Sequence, residues 1–161
     1  MKFIRSPALI AYGLAVAVIV VDQLVKAWVL DGLQLGDGRV VPVLGPLQFS
    51  LVRNEGVSFG LFQGSSMGRW ILTAFSLAVS IGLAVWALRL DKRLTGLAVG
   101  FVIGGALGNM IDRLRYGSVI DFVDVHRLYF PWVFNVADSA ITVGVVLLLA
   151  ESLLAPGKAA T

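Results

Sequence analysis

The sequence predicts an all-α integral membrane protein with four transmembrane helices, a small outer-face β-sheet and an interfacial amphipathic segment. Three observations lead there. Hydrophobic residues make up 58% of the 161 positions, against roughly 45–50% in a soluble domain, and the mean hydropathy is +0.88. Four stretches, about Ala8–Leu30, Trp70–Leu88, Leu94–Ile111 and Phe134–Leu154, are long enough to cross roughly 30 Å of hydrocarbon at about 1.5 Å per residue. The connections after the first and third stretches mix aromatic and β-branched residues with charges, as interfacial structure does. The length fits one membrane domain over residues 1–161.

Lys2 and Arg5 precede an apolar run containing Ala15-Val16-Ala17, the outline of a cleavable secretory signal. The run continues unbroken past Val21 to Leu30, so a retained first span is expected. It carries Asp22 and Lys26 at i and i+4, acid first, the favourable order on a helix. The two either neutralise each other as structure or meet a substrate, and Lys26 alone would snorkel toward the interface.

In the first outer connection Leu47, Phe49 and Leu51 alternate with Gln48 and Ser50, the period-two mark of a half-buried strand. Gly45-Pro46 supplies a turn before it and Asn54-Glu55-Gly56 one after it, so a small antiparallel sheet is expected. Gly64-Ser65-Ser66-Met67-Gly68 matches the nucleophile-elbow pattern, which needs an α/β-hydrolase turn and a histidine partner. A Gly/Ser-rich loop before a span explains it instead.

The second and third spans contain no charge, and Gly104, Gly105 and Gly108 form a small-residue pattern for close helix packing. The second outer connection, Leu114–Val133, suits an interfacial amphipathic segment. The fourth span has Asp138 near its start and Glu151 near its end. Four spans put both termini on one side, and the short basic Arg89–Arg93 connection places that side in the cytoplasm. Trp28, Trp70 and Trp132 then fall near the outer interface and Trp86 near the inner one.

Composition excludes several chemistries. There is no cysteine, hence no thiol nucleophile, disulfide or cysteine-held metal, and one histidine, His126, rules out a multi-histidine site. The net charge of +3 comes without a basic run, so nucleic acid is not an expected partner.

The polar residues gather instead in Gly104–Ala140, which holds Asn109, Asp112, Arg113, Asp121, Asp124, Asn135 and Asp138. A carboxylate in a bilayer costs about 2.5–3.5 kcal/mol at the centre and less near the surface, so such groups mark function. Asp121 follows the third span and Asp138 opens the fourth. Antiparallel packing of those spans brings the two together, as an acid and a base able to share one water. Asp138 could equally be a helix-capping residue. Asn109 and Asp112, like Asn135 and Asp138, are three apart and share a helix face. Arg113 would pair with a carboxylate, hold a lipid phosphate, or form a local structural ion pair with Asp112. His126 is expected to be an interfacial side chain with an ordinary partner. Two rival readings stay open: a divalent-metal lipid transferase using Asp112, Asp121 and Asp124 as ligands, and a small transporter burying Asp22 and Lys26.

Five blocks resemble the lipoprotein signal peptidase (signal peptidase II) family: DQLVK at Asp22–Lys26, RNEGVSFG at Arg53–Gly60, GGALGNMIDR at Gly104–Arg113, GSVIDFVD at Gly117–Asp124 and FNVADSAI at Phe134–Ile141. They stand in family order across nearly the whole chain, and the last three together are highly specific. Ser58 departs from the alanine usual in the second block. The resemblance implies an aspartic endopeptidase of the bacterial inner membrane, with its active site near the periplasmic face. It would cleave diacylglyceryl-modified prolipoproteins just before the lipidated cysteine. Asp121 and Asp138 would be the catalytic dyad; Asn54, Gly56, Asn109, Asp112, Arg113, Asn135 and Ala137 would shape the site, with Asp22 and Lys26 in support. It further implies contact with membrane lipids, inhibition by globomycin-type peptides, and no metal or other cofactor; a monomer is expected.

Overall fold

The computed structural model describes residues 6–36, 38–56 and 66–154. Ser58 and the first two residues of the Gly64–Gly68 match, Gly64 and Ser65, lie outside the described residues, as do Lys2 and Arg5. Four long helices are present: α1 (Ser6–Ala27), prolonged by a π-helical turn at Trp28–Gly32, α2 (Ser66–Ala87), α3 (Arg93–Tyr116) and α4 (Val136–Leu154). All four are long and apolar enough to cross a bilayer. α3 packs against the other three. Two thirds (67%) of its most apolar window is buried, against 28% for α1 and 17% for α2 and α4, whose remaining surfaces suit lipid.

Glycine makes that central position possible. A Cβ added at Gly96, Gly100 or Gly104 would stand 2.5, 2.7 or 2.9 Å from the carbonyl oxygens of Pro7, Ala11 and Ala15, all on α1. Gly105 points instead to α4 and would collide with the Ala137 carbonyl. The small-residue pattern is therefore two-sided: one stripe seats α1 and its neighbour seats α4. At the far end Ala8, Ala11, Ala87, Leu90 and Val99 close a core. Lys92 and Thr95 reach Glu151 there, at 3.0 and 2.6 Å. The α2–α3 connection thus lies beside the start of α1 and the end of α4, as the sequence requires of four antiparallel spans.

The opposite end carries a four-stranded antiparallel sheet in the order β1 (Val40–Leu44), β2 (Leu47–Asn54), β3 (Val119–Asp124) and β4 (Val133–Phe134). The first two form the expected hairpin, with Gly45 at φ +54° in its turn. Phe49 and Phe122 pack edge to face at 5.7 Å over Val29 and Leu35, which fixes the sheet on the end of α1.

The second outer connection differs from expectation. Leu114–Val133 is not one amphipathic segment. α3 continues to Tyr116, Gly117 breaks it in the left-handed region (φ +80°), and Val119–Asp124 enters the sheet between β2 and β4. Five of its six residues are buried, the pattern of a strand covered on both faces. Only the turn at His126–Leu128 and the exposed Tyr129, Phe130 and Trp132 keep an interfacial character.

If the α1–α3 contact is set by glycine, Gly100→Leu must force the helices apart and destabilise the detergent-solubilised protein by about 1–3 kcal/mol in thermal unfolding. Gly82→Ala, on an open face of α2 with nothing within 4 Å of the new methyl, is expected to leave the transition unchanged.

Candidate active site

α4 begins with a capping box. The Asn135 side-chain oxygen accepts the Asp138 N–H at 2.9 Å, and the Asn135 N–H donates back to Asp138 Oδ2 at 3.3 Å. Asp138 is thus a capping residue, but its other oxygen is committed elsewhere. Asn109 on α3 donates to Asp138 Oδ1 at 2.7 Å. The Asn135 amide nitrogen donates to Asp121 Oδ1 at 2.6 Å and to Asn109 Oδ1 at 3.1 Å. Asn54, at the end of β2, donates to the remaining Asp121 oxygen at 3.0 Å and turns its own oxygen to the Gly56 N–H. Asn135, with no exposed surface, therefore holds both carboxylates, one through its side chain and one through its backbone.

The two acids differ in access. Asp121 is 2% exposed, behind Asn54. Asp138 opens onto a cavity of about 320 Å³ whose polar wall includes Asn54, Gly56, Asn109 and Arg113, and whose apolar wall includes Leu72, Phe75, Val79 and Ile141. Arg113 Nε is buried there without a hydrogen-bond partner. Burial, then the nearby Asp138 carboxylate, pushes the Asp121 pKa up to about 6, against the pull of its amide donors and of Lys26.

Next to this pair sits a buried ionic cluster. Lys26 is 2% exposed; it donates to Asp22 Oδ2 (2.8 Å) and Asn109 Oδ1 (3.2 Å) and is ion-paired with Asp112 Oδ2 at 2.7 Å. Lys26 therefore turns inward and does not snorkel, because two ionised partners within reach outweigh hydration at the interface. The local Asp112–Arg113 pair is likewise not formed. Successive helical residues point about 100° apart, so Asp112 faces α1 while Arg113 faces the cavity. The carboxylates hold backbone as well: Asp22 Oδ1 accepts the Ala137 N–H at 2.9 Å, and Asp112 Oδ2 accepts the Ile120 N–H at 3.1 Å. Ala137 is small because the glycine face of α3 passes over it; a Cβ at Gly108 would lie 3.3 Å from its own.

Asp124 belongs to a different cluster. It accepts from Gln48 and Ser50, each at 2.8 Å, and from the His126 N–H, with the His126 ring at 3.0 Å. Burial raises its pKa, but these donors outweigh burial and bring it down to about 2. Its ionised form therefore stabilises the fold above about pH 4, a contribution lost as pH falls toward 2. Asp121 and Asp124 share no partner, and Asp112 is taken by Lys26, so the ligand set of a metal-dependent transferase is not assembled. Among the described residues no group of three or more His, Asp or Glu side chains is arranged to hold a metal ion. Nor do Asp22 and Lys26 line a path, as a transporter would need; they close on each other in the packed interior.

Every site residue expected from the sequence is thus placed in one of two adjoining layers. Asn54, Gly56, Asn109, Arg113, Asn135, Asp121 and Asp138 form the amide-lined pair and its cavity; Asp22, Lys26, Asp112 and Ala137 form the layer beside it. Sequence reasoning passed over Gln23. Its side-chain nitrogen lies 2.8 Å from Asp112 Oδ1 and 3.2 Å from Asp22 Oδ2. An amide inside a charged turn of an apolar span was the available signal.

Fold and site together define a polytopic helical membrane enzyme with a carboxylate pair at one end of its bundle. The signal peptidase (SPase) II family model matches residues 14–154, and the chain belongs to that family, which makes it a membrane peptidase. It is 52% identical over 146 residues to the lipoprotein signal peptidase of Caulobacter vibrioides, covering 90% of this chain and 87% of that one. The lipoprotein signal peptidase of Rhodopseudomonas palustris strain TIE-1 is 40% identical over 155 residues, 92% of this chain and 94% of the relative. A solved structure of a bacterial membrane enzyme superposes with a TM-score of 0.77 at 27% identity, covering 94% of each chain.

Removing Lys26 strands two buried carboxylates. Lys26→Met is expected to cost about 3–5 kcal/mol in equilibrium unfolding. Lys92→Ala, which breaks the ion pair between a 63% exposed lysine and Glu151, is expected to cost less than about 1 kcal/mol.

Proposed function

We propose that the chain is an aspartic endopeptidase that removes signal peptides from diacylglyceryl-modified prolipoproteins, cutting N-terminal to the lipidated cysteine. The observation that carries this reading is one buried residue, Asn135, hydrogen-bonded to the carboxylates of both Asp121 (through its side chain) and Asp138 (through its backbone) beside a partly apolar cavity. The relatives, which are lipoprotein signal peptidases, supply the substrate class.

The chemistry follows from two carboxyl groups that hold one proton between them. The ionised carboxylate removes a proton from a water as its oxygen attacks the scissile carbonyl. The protonated carboxyl then gives its proton to the leaving nitrogen as the C–N bond breaks. The products are the signal peptide with a free carboxylate and the lipidated cysteine with a free amine. The unpartnered Arg113 Nε and the site amides can donate to the polarised carbonyl oxygen. Leu72, Phe75 and Val79 line the cavity on its α2 side, which admits a lipid-borne substrate from the bilayer.

No step requires a metal. Membrane lipids and globomycin-type inhibitors are the other ligands of this reading, and the protein acts as a monomer without nucleic acid. The basic Arg89–Arg93 connection supports an orientation with both termini in the cytoplasm and the sheet on the periplasmic face of the inner membrane.

Asp121→Asn and Asp138→Asn should each lower cleavage of a lipidated prolipoprotein by at least about 10³-fold while the variants remain folded; wild-type turnover in either would end the dyad reading. Cleavage should persist in EDTA. Because Asp121 titrates near 6, the pair loses its shared proton as pH rises through that value, so kcat/KM should fall on the alkaline side. Asn54→Ala removes a donor to the ionised form, and the limb should move to higher pH.

A further inference from the structure

The two carboxylates flanking Lys26 each hold the backbone N–H one residue before a proposed catalytic acid. Asp112 holds Ile120 N–H, next to Asp121, and Asp22 holds Ala137 N–H, next to Asp138. The position of both acids therefore depends on how Asp22 and Asp112 are held relative to each other. Lys26 supplies one positive charge for two carboxylates, which leaves an uncompensated negative charge in the interior. Gln23 lies between them. Its Nε2 donates to Asp112 Oδ1 at 2.8 Å and to Asp22 Oδ2 at 3.2 Å, with the Gly108 carbonyl farther off at 3.4 Å. Its Oε1 accepts from the exposed Arg115 Nη1 at 3.3 Å. That outer contact settles which end of the amide faces inward, because a guanidinium can only donate.

We propose that Gln23 is a positioning residue for the peptidase reaction: oriented by Arg115, it bridges Asp22 and Asp112 so that the backbone beside each catalytic acid keeps one geometry. The proposal rests on the dyad reading given above. Gln23 touches neither acid directly. Its loss should therefore slow the chemical step without weakening substrate binding.

The test is steady-state kinetics of the full-length enzyme in lipid bilayers, on a lipidated prolipoprotein, with rates expressed per folded molecule. Gln23→Met keeps the length of the side chain and removes the amide. Its kcat should fall about tenfold or more, the scale of a hydrogen bond to a charged group, with KM within about twofold of wild type. Arg115→Glu changes only an exposed side chain and invites the amide to turn its oxygen toward the carboxylates; kcat should fall in the same way. Arg115→Lys restores a donor and should recover turnover. If Gln23→Met does not fold, Arg115→Glu against Arg115→Lys decides the matter. Wild-type kcat per folded molecule in Gln23→Met or Arg115→Glu, or a rise in KM with kcat unchanged, overturns the positioning role. Asp121→Asn and Asp138→Asn run alongside: inactive dyad variants beside a fully active Gln23→Met would reject this proposal alone, whereas active dyad variants would reject the underlying reading.

Discussion

The ammonium of Lys26, held between Asp22 and Asp112 in the interior, is the interaction on which the rest of the site depends. An isolated charge there would cost several kcal/mol after relaxation. The cost is met by two ion pairs, to Asp22 and Asp112, and a hydrogen bond to the Asn109 oxygen, from two helices. The two carboxylates then have oxygens left for the backbone of β3 and α4. One cation thus gathers α1, α3, the sheet and the start of α4 at one place. Breaking it would strand two carboxylates and release two segments of chain.

That cluster can form only because α3 lacks side chains where α1 crosses it. Gly96, Gly100 and Gly104 bring the α1 backbone to within a few ångströms. One turn further on, a Cβ at Gly108 would stand 2.8 Å from Asp22 Oδ2. Packing and electrostatics are the same arrangement seen at different depths. Without the close approach, Asp22 and Lys26 would lie too far out to meet Asp112 and Asn109. Gly105, turned the other way, seats α4 and so delivers Ala137 to Asp22.

The sequence made the spans legible because bilayer burial leaves an uninterrupted apolar run, and made Asp121 and Asp138 legible because charge beside such a run is costly. Strand β3 was harder to read. Covered on both faces, its segment Val-Ile-Asp-Phe-Val-Asp does not alternate, and its partner β2 lies beyond two transmembrane helices. The end of α3 was also missed: Asp112 and Arg113 look like a helix terminus by polarity, yet one is neutralised inward and the other lines a cavity, so the helix runs on to Tyr116. Spacing placed Asn109, Asp112 and Arg113 together, but not which neighbour each would choose. That choice depends on the inter-helix geometry set by glycines.

Among the described residues, neutral amides and not cations contact the proposed dyad. Asn54, Asn109 and Asn135 take up both oxygens of Asp121 and of Asp138, which fixes where the carboxyl groups sit. A lysine or arginine in direct contact would do the same, but it would also favour two ionised carboxylates and leave no proton to give a leaving group. Lys26 is kept one residue away, donating to the Asn109 oxygen whose amide end meets Asp138. The cation therefore orders the site through an amide that carries no net charge. In the proposed mechanism such amides fix orientation without pinning the proton, which is the condition for one carboxyl group to act as acid while its neighbour acts as base.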